Sequence, residues 1–263
     1  MGPRALSANT GRMDTAPLQI LILKTDRLYA DMLRQHAVHA FAHSRPTIAT
    51  SIAEARELLG RVAFDLFITG LGEQAGGDAL DLVAQCKREP LRARRVVVLL
   101  DRHEYRVLAA LRTLPVDGIF DPAEDSPAAF GAALPAIVRG SRYWSPGAAA
   151  RLRQLAAAPE ALFRILTDFE QVVLSVIGDG SDDLAAAEQL GLSPATISTV
   201  RRALHRKLGV QHRGELVRIA AQKGYVRFTP VGVERPGYGL LAAAYQPRQR
   251  ARRPECATMP ATA

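Results

Sequence analysis

The chain is poor in the residues that build disulfide, metal and membrane proteins. Its two cysteines, Cys86 and Cys256, stand far apart without metal-ligand spacing. Neither a disulfide framework nor a zinc site is therefore expected, and both are read as free thiols. Apolar runs such as Ile20 to Leu23 and Val96 to Leu100 stop after four or five residues, far short of the ~20 that a membrane helix needs. The N-terminus lacks the apolar core of a secretory signal, so a cytoplasmic chain without a membrane partner is expected. No Ser/His/Asp triad, metal cluster or phosphate-cradling glycine motif is present in a context that could work, and Gly70, Gly72, Gly76 and Gly77 have the spacing of a turn only. Neither an enzyme nor a bound cofactor is expected.

What is abundant is positive charge, and it is concentrated. Across 263 residues, 34 Lys and Arg face 26 Asp and Glu, a formal charge of +8. From Glu160 to Leu190 there are seven acids and one base, Arg164; from Thr196 to Pro230 there are eight bases and one acid, Glu215. A basic face next to an acidic one points to a polyanionic partner.

Residues 1–17 have no periodicity and read as a flexible leader. Over 18–142, short β-branched or leucine runs (Ile20–Leu23, Thr47–Thr50, Asp65–Thr69, Val96–Leu100, Gly118–Phe120) alternate with stretches of helical period. Five such units predict a doubly wound α/β domain with a five-stranded parallel sheet, whose ligand site lies outside the carboxyl ends of the strands. Residues 143–163 read as a linker, with Ser145-Pro146-Gly147 as a breaker, an Ala/Arg-rich stretch, and Trp144 packed in the connection. An all-α domain of four short helices is expected over 164–229, and a disordered basic tail over 230–263, with Arg250, Arg252 and Arg253 near its end.

The first of the four helices carries Thr167 and Glu170 at capping-box spacing. The second runs from about Asp182 to Leu190 and stops at Gly191. The third opens on Ser193 as N-cap with Pro194 at its first position and ends before Gly209. Only Gly191-Leu192-Ser193 joins helices two and three, a helix-turn-helix pattern. On the third helix Ile197, Val200, Leu204 and Leu208 form the apolar stripe, leaving Ser198, Thr199, Arg202 and Arg206 outward. Arg can bond guanine O6 and N7, and Ser or Thr can reach base edges or a thymine methyl. Arg201, Lys207 and Arg213 are expected to neutralise phosphates. Double-stranded DNA is the expected partner.

Several separated blocks in this region, Leu166-Thr-Asp-Phe-Glu170, Ala187-Glu-Gln-Leu-Gly-Leu-Ser193, Thr196-Ile197, Arg206-Lys-Leu-Gly-Val210 and Arg213-Gly-Glu-Leu-Val217, resemble the LuxR/NarL-type helix-turn-helix. That family commonly has Lys where Ser198 stands and His where Val200 stands, so the resemblance implies DNA binding but no base preference. It also implies a homodimer through the fourth helix, at Leu216, Ile219 and Ala220.

An α/β domain ahead of such a helix-turn-helix resembles the receiver of a two-component response regulator. The phosphorylation chemistry that this resemblance implies is missing. Lys24 and Thr25 stand where two acids hold Mg²⁺, with Asp26 one place late; Gly70 replaces the phosphoacceptor aspartate, Leu100 the Ser/Thr, and Pro122 the lysine. A glycine has no carboxylate to phosphorylate, and a lysine opposes the divalent cation. Asp26 itself reads as a surface acid at a helix start. The expectation is a transcription regulator with a pseudo-receiver that acts without aspartate phosphorylation and serves as a dimerisation platform, a protein-docking platform or a small-molecule sensor. The alternative is an interaction protein whose pseudo-receiver captures a kinase or another regulator, and whose basic half binds DNA only non-specifically.

Overall fold

The α/β alternation is realised as a parallel sheet. The structure, a computed structural model, describes residues 16–71, 73–74, 76–159, 161–230 and 232–245. The chain runs through β1 (Leu18–Leu23), α1 (Arg27–Ala40), β2 (Ser44–Ala49), α2 (Ile52–Arg61), β3 (Phe64–Gly70), the two-residue strands β4 (Glu73–Gln74) and β5 (Gly77–Asp78), and α3 (Ala79–Gln85). It continues through β6 (Ala93–Leu99), α4 (Tyr105–Leu111), β7 (Gly118–Phe120), α5 (Pro127–Val138), β8 (Tyr143–Trp144) and α6 (Pro146–Ala157).

The sheet order is β2-β1-β3-β6-β7-β8, with every pair parallel. Side-chain alternation assigns the two faces. Ile20, Ile22, Leu66, Ile68, Val97 and Leu99 pack under α1 and α5. Leu21, Leu23, Phe67, Val96 and Val98 pack under the opposite layer with residues of α2, α3, α4 and α6. Strands covered on both faces read as continuous apolar runs, which is why they were visible in the sequence.

The sheet has a sixth strand beyond the five expected. Tyr143 N–H donates to Asp117 O and Ser145 N–H to Ile119 O, both at 2.9 Å, which covers the otherwise bare edge of β7. Residues 143–163, expected as a linker, are therefore largely built into the first domain. Ser145 caps α6 and Pro146 opens it, and Ala148, Leu152 and Leu155 join the core. Trp144 is 45% exposed at the sheet edge and does not pack between domains. Cys86 is buried, its thiol pushed up to about 12 by burial; Cys256 lies outside the described residues.

The helical half follows as α7 (Leu162–Ile165), α8 (Asp168–Ile177), α9 (Asp183–Leu190), α10 (Pro194–Leu208) and α11 (Arg213–Gln222). The structureless reading of 230–263 fails for 232–245. The chain forms a hairpin of β9 (Arg227–Thr229) and β10 (Gly232–Glu234), then α12 (Tyr238–Tyr245). The segment was illegible because Gly and Pro interrupt its first half and α12 is apolar at nearly every position, with no polar face to give an amphipathic period. The leader over 1–15 and the tail beyond 245 lie outside the described residues. Among the described residues no helix is long and apolar enough to cross a membrane.

Asp78 N-caps α3 by accepting from Leu80 N–H at 2.7 Å, while its Oδ2 lies 3.7 Å from Arg227 Nη1. Burial pushes its carboxyl up to about 7, and Asp81 and Glu234 push the same way; the Leu80 bond and Arg227 pull it down. The fold thus retains a proton that the unfolded chain gives up near the ordinary carboxylate value, so this group's contribution falls as pH rises from about 4 to 7 and is flat above. Urea titrations from pH 5 to 8 should show this decline in the native chain. They should show a flatter profile, and greater stability at pH 8, in Asp78→Asn, which keeps the cap.

Candidate nucleic-acid interface

Local chemistry fixes the helix-turn-helix. Thr167 and Glu170 form the expected capping box at the start of α8. Gly191 takes the left-handed conformation (φ 64°) that ends α9, and Leu192 N–H returns to Ala187 O at 2.9 Å. Two residues later Ser193 Oγ accepts from Thr196 N–H at 3.1 Å and starts α10, with Pro194 at its first position. Ile197 and Leu204 are fully buried, and Val200 and Leu208 pack at the edge of the same core. α10 is thereby held by one face.

Its opposite face carries the site. Ala195, Thr199, Arg202 and Arg206 are exposed and Ser198 half-buried. Thr199 Oγ1 donates to Ala195 O at 2.9 Å, and Arg202 Nε donates to Ser198 O at 3.4 Å. Neither Arg202 nor Arg206 has a carboxylate partner among the described residues. The exposed row is 195-199-202-206, so Ala195 belongs to it and was missed in the sequence. The signal was its four-residue step before Thr199, overlooked because alanine offers no polar group.

The three bases expected at phosphates, Arg201, Lys207 and Arg213, each have an acid partner within the domain. Arg201 clasps Asp183 with Nε at 2.9 Å and Nη2 at 2.8 Å. Arg213 adds Nη1 at 3.5 Å to the same carboxylate and donates from Nη2 to Ser181 O. Lys207 donates to Glu170 Oε2 at 2.8 Å and to Ile165 O at 3.1 Å. The bond from Arg201 holds the Asp183 carboxyl below its ordinary value against the opposing effect of burial. Burial raises Glu170, but Lys207 and Thr167 outweigh it and the net direction is down. These cations tie α10 and α11 to α8, α9 and the turn before α9. The acids before α10 and the bases within it are partners.

The expected dimer residues all lie on α11. Leu216 and Ala220 are fully buried in the domain's own core, which leaves only Ile219 partly exposed on α11.

In the first domain, Lys24, Gly70 and Leu100 meet at the carboxyl ends of β1, β3 and β6, as the register expects. Lys24 is buried, with its ammonium 2.5 Å from Asp101 Oδ2 and over the Tyr29 ring. Thr25 Oγ1 donates to Thr50 O at 3.1 Å, and Asp26 N-caps α1 through Tyr29 N–H at 3.0 Å. Pro122 is exposed next to Asp121, whose buried carboxylate takes Arg151 Nε at 2.7 Å. Between α1 and α5 lies a cavity of about 370 Å³ lined mainly by apolar residues such as Met32 and Phe130, with Tyr29, His36, Asp125 and Ser126 as polar groups.

Residues 164–220 match the family of bacterial regulatory proteins described as the luxR family, and form a LuxR-type helix-turn-helix domain. No curated protein matches the chain. Among solved structures, RcsB from Salmonella enterica serovar Typhimurium bound to the promoter rprA is 21% identical. The alignment covers 78% of this chain and 98% of that one, with a TM-score of 0.50. A structure of two RcsB dimers bound to two parallel DNAs is 20% identical over 78% and 98% of the two chains, also at 0.50. The fold is that shared by these proteins: a receiver-like α/β domain followed by a helix-turn-helix domain.

The Asp183 contacts separate the paired arginines from Arg202 and Arg206. Asp183→Ala should lower unfolding stability by about 1 kcal/mol, discounted because its partners are a quarter to a third exposed. Arg206→Ala, with no partner to lose, should leave the unfolding midpoint unchanged. Denaturant titrations of the two variants check the contrast. The Asp183 contribution should also vanish as pH falls through the carboxylate range, since its folded value is depressed.

Proposed function

We propose that this chain is a sequence-specific DNA-binding transcription regulator, an atypical response regulator that acts without aspartate phosphorylation and as a homodimer in the cytoplasm. The observation that carries the reading is the sorting of the arginines. In a domain where neighbouring bases are neutralised from within, the outer face of α10 keeps Arg202 and Arg206 free of acids, beside Thr199, Ser198 and Ala195. That face enters the major groove. Arg202 and Arg206 read guanine edges, while Thr199 and Ala195 offer a hydroxyl and a methyl to neighbouring bases. RcsB, which shares the fold, is seen bound to promoter DNA and as dimers on DNA.

The ion pair Lys24–Asp101 supports independence from phosphorylation. It fills the strand-end pocket with a neutralised cation where a divalent ion would need free oxygens, and Gly70 leaves no acceptor. The receiver-like domain then serves as a platform for a second copy or a partner. The cavity between α1 and α5 is where a small molecule would enter.

Two outcomes are expected. Arg202→Ala should lose about 1–3 kcal/mol on the preferred duplex and much less on scrambled ones, flattening sequence preference in competition binding assays. Equal loss on every duplex would favour the non-specific interaction protein instead. Acetyl phosphate with Mg²⁺ should give no phosphoryl adduct by mass spectrometry and no change in duplex affinity.

A further inference from the structure

The luxR-family match ends at residue 220, and the described residues continue to 245. Those extra residues touch both halves of the molecule. Towards the helical domain, Arg235 Nη2 lies 2.5 Å from Asp179 Oδ2 and its Nε donates to Ser175 O at 2.9 Å. Tyr245 stacks on Phe169 of α8 at 4.5 Å between ring centroids.

Towards the receiver-like domain the contacts are equally specific. Asp81 of α3 accepts from the backbone N–H groups of Gly239 (3.1 Å) and Leu240 (2.8 Å) at the start of α12. Arg106 of α4, 4% exposed, donates from Nη2 to Gly237 O at 2.9 Å. Gly237 has φ 63°, and a Cβ there would meet Arg106 Nη2 at 2.9 Å, so glycine is needed for both its conformation and the approach. Arg227 lies 3.2 Å from Glu234 on its own hairpin, 3.7 Å from Asp78 and 3.9 Å from Glu104. Alongside, Tyr105 of α4 stacks between Phe163 and the fully buried Tyr225.

From these contacts we propose that residues 226–245 are an intramolecular strap that docks the helix-turn-helix domain on the α3–α4 face of the receiver-like domain, with the outer face of α10 left open to DNA. The proposal rests on the DNA-binding reading for its functional half only. Isolated surface ion pairs would not hold two domains. Here a backbone carbonyl, two backbone N–H groups, a buried arginine and an aromatic stack act together, and pulling the strap away would leave Asp81 and Arg106 without partners. Thr199, Arg202 and Arg206 remain exposed with the strap in place. Docking and DNA binding are thus compatible, and a partner bound to α3 or α4 would act on the DNA-binding half through the strap.

A disulfide tests this in the full-length chain. A Cβ built on Gly239 lies 3.1 Å from Asp81 Cγ, close to the spacing between one Cβ and the facing sulfur in a disulfide. In a Cys256→Ser background, Asp81→Cys with Gly239→Cys should form an intramolecular bond nearly completely under mild oxidation. The oxidised protein should bind a preferred duplex within about twofold of its reduced form. Failure to cross-link would overturn the docking. A cross-link that weakens binding by about tenfold or more would overturn the open face of α10 and make the strap an inhibitor. If no form binds any duplex, the DNA reading fails while the cross-link yield still decides the docking. Hydrogen exchange of the unaltered protein gives a second, independent answer. The Gly239 and Leu240 amides should be protected and should lose protection in Asp81→Ala; fast exchange in the native chain would overturn the strap.

Discussion

A cation taken into a folded protein must be met by a carboxylate or a carbonyl, because leaving it unpaired costs far more than any packing it adds. The basic residues of this chain are sorted by that constraint. Lys24 is closed on Asp101, and Arg201 and Arg213 share Asp183. Lys207 is held by Glu170, and Arg227 sits among three acids. Arg202 and Arg206 have none of these. On the outer face of α10 they are free to meet an external polyanion, and their place opposite the buried Ile197 and Leu204 aims them in one direction.

The same constraint shapes the strand ends of the receiver-like domain. The Lys24–Asp101 pair occupies the carboxyl ends of the strands, and Asp121 is held by Arg151 from α6. Each pair ties separate elements together, so the pocket has become part of the scaffold.

Much of this was legible in the sequence. The βα alternation, the Ser193-Pro194 start and Gly191 stop, the Thr167–Glu170 box and the apolar stripe of α10 are local signals, and each appears where its spacing puts it. Three things were not local. Whether a basic side chain is free or paired depends on an acid from another helix, as the partners of Arg201, Lys207 and Arg213 show. The burial of Leu216 and Ala220 comes from α8, which is remote in sequence. The strand at Tyr143–Trp144 and the strap over 226–245 are held by tertiary contacts across long separations, which no local period encodes.

The account turns on recognition of base sequence by α10 without a phosphoryl group. Selection from a random duplex library with purified, unphosphorylated full-length protein at near-physiological salt tests it most directly. The account predicts enrichment of a motif with two related half-sites. A library that emerges from selection unenriched, with the full-length chain and with residues 160–230 alike, would contradict it.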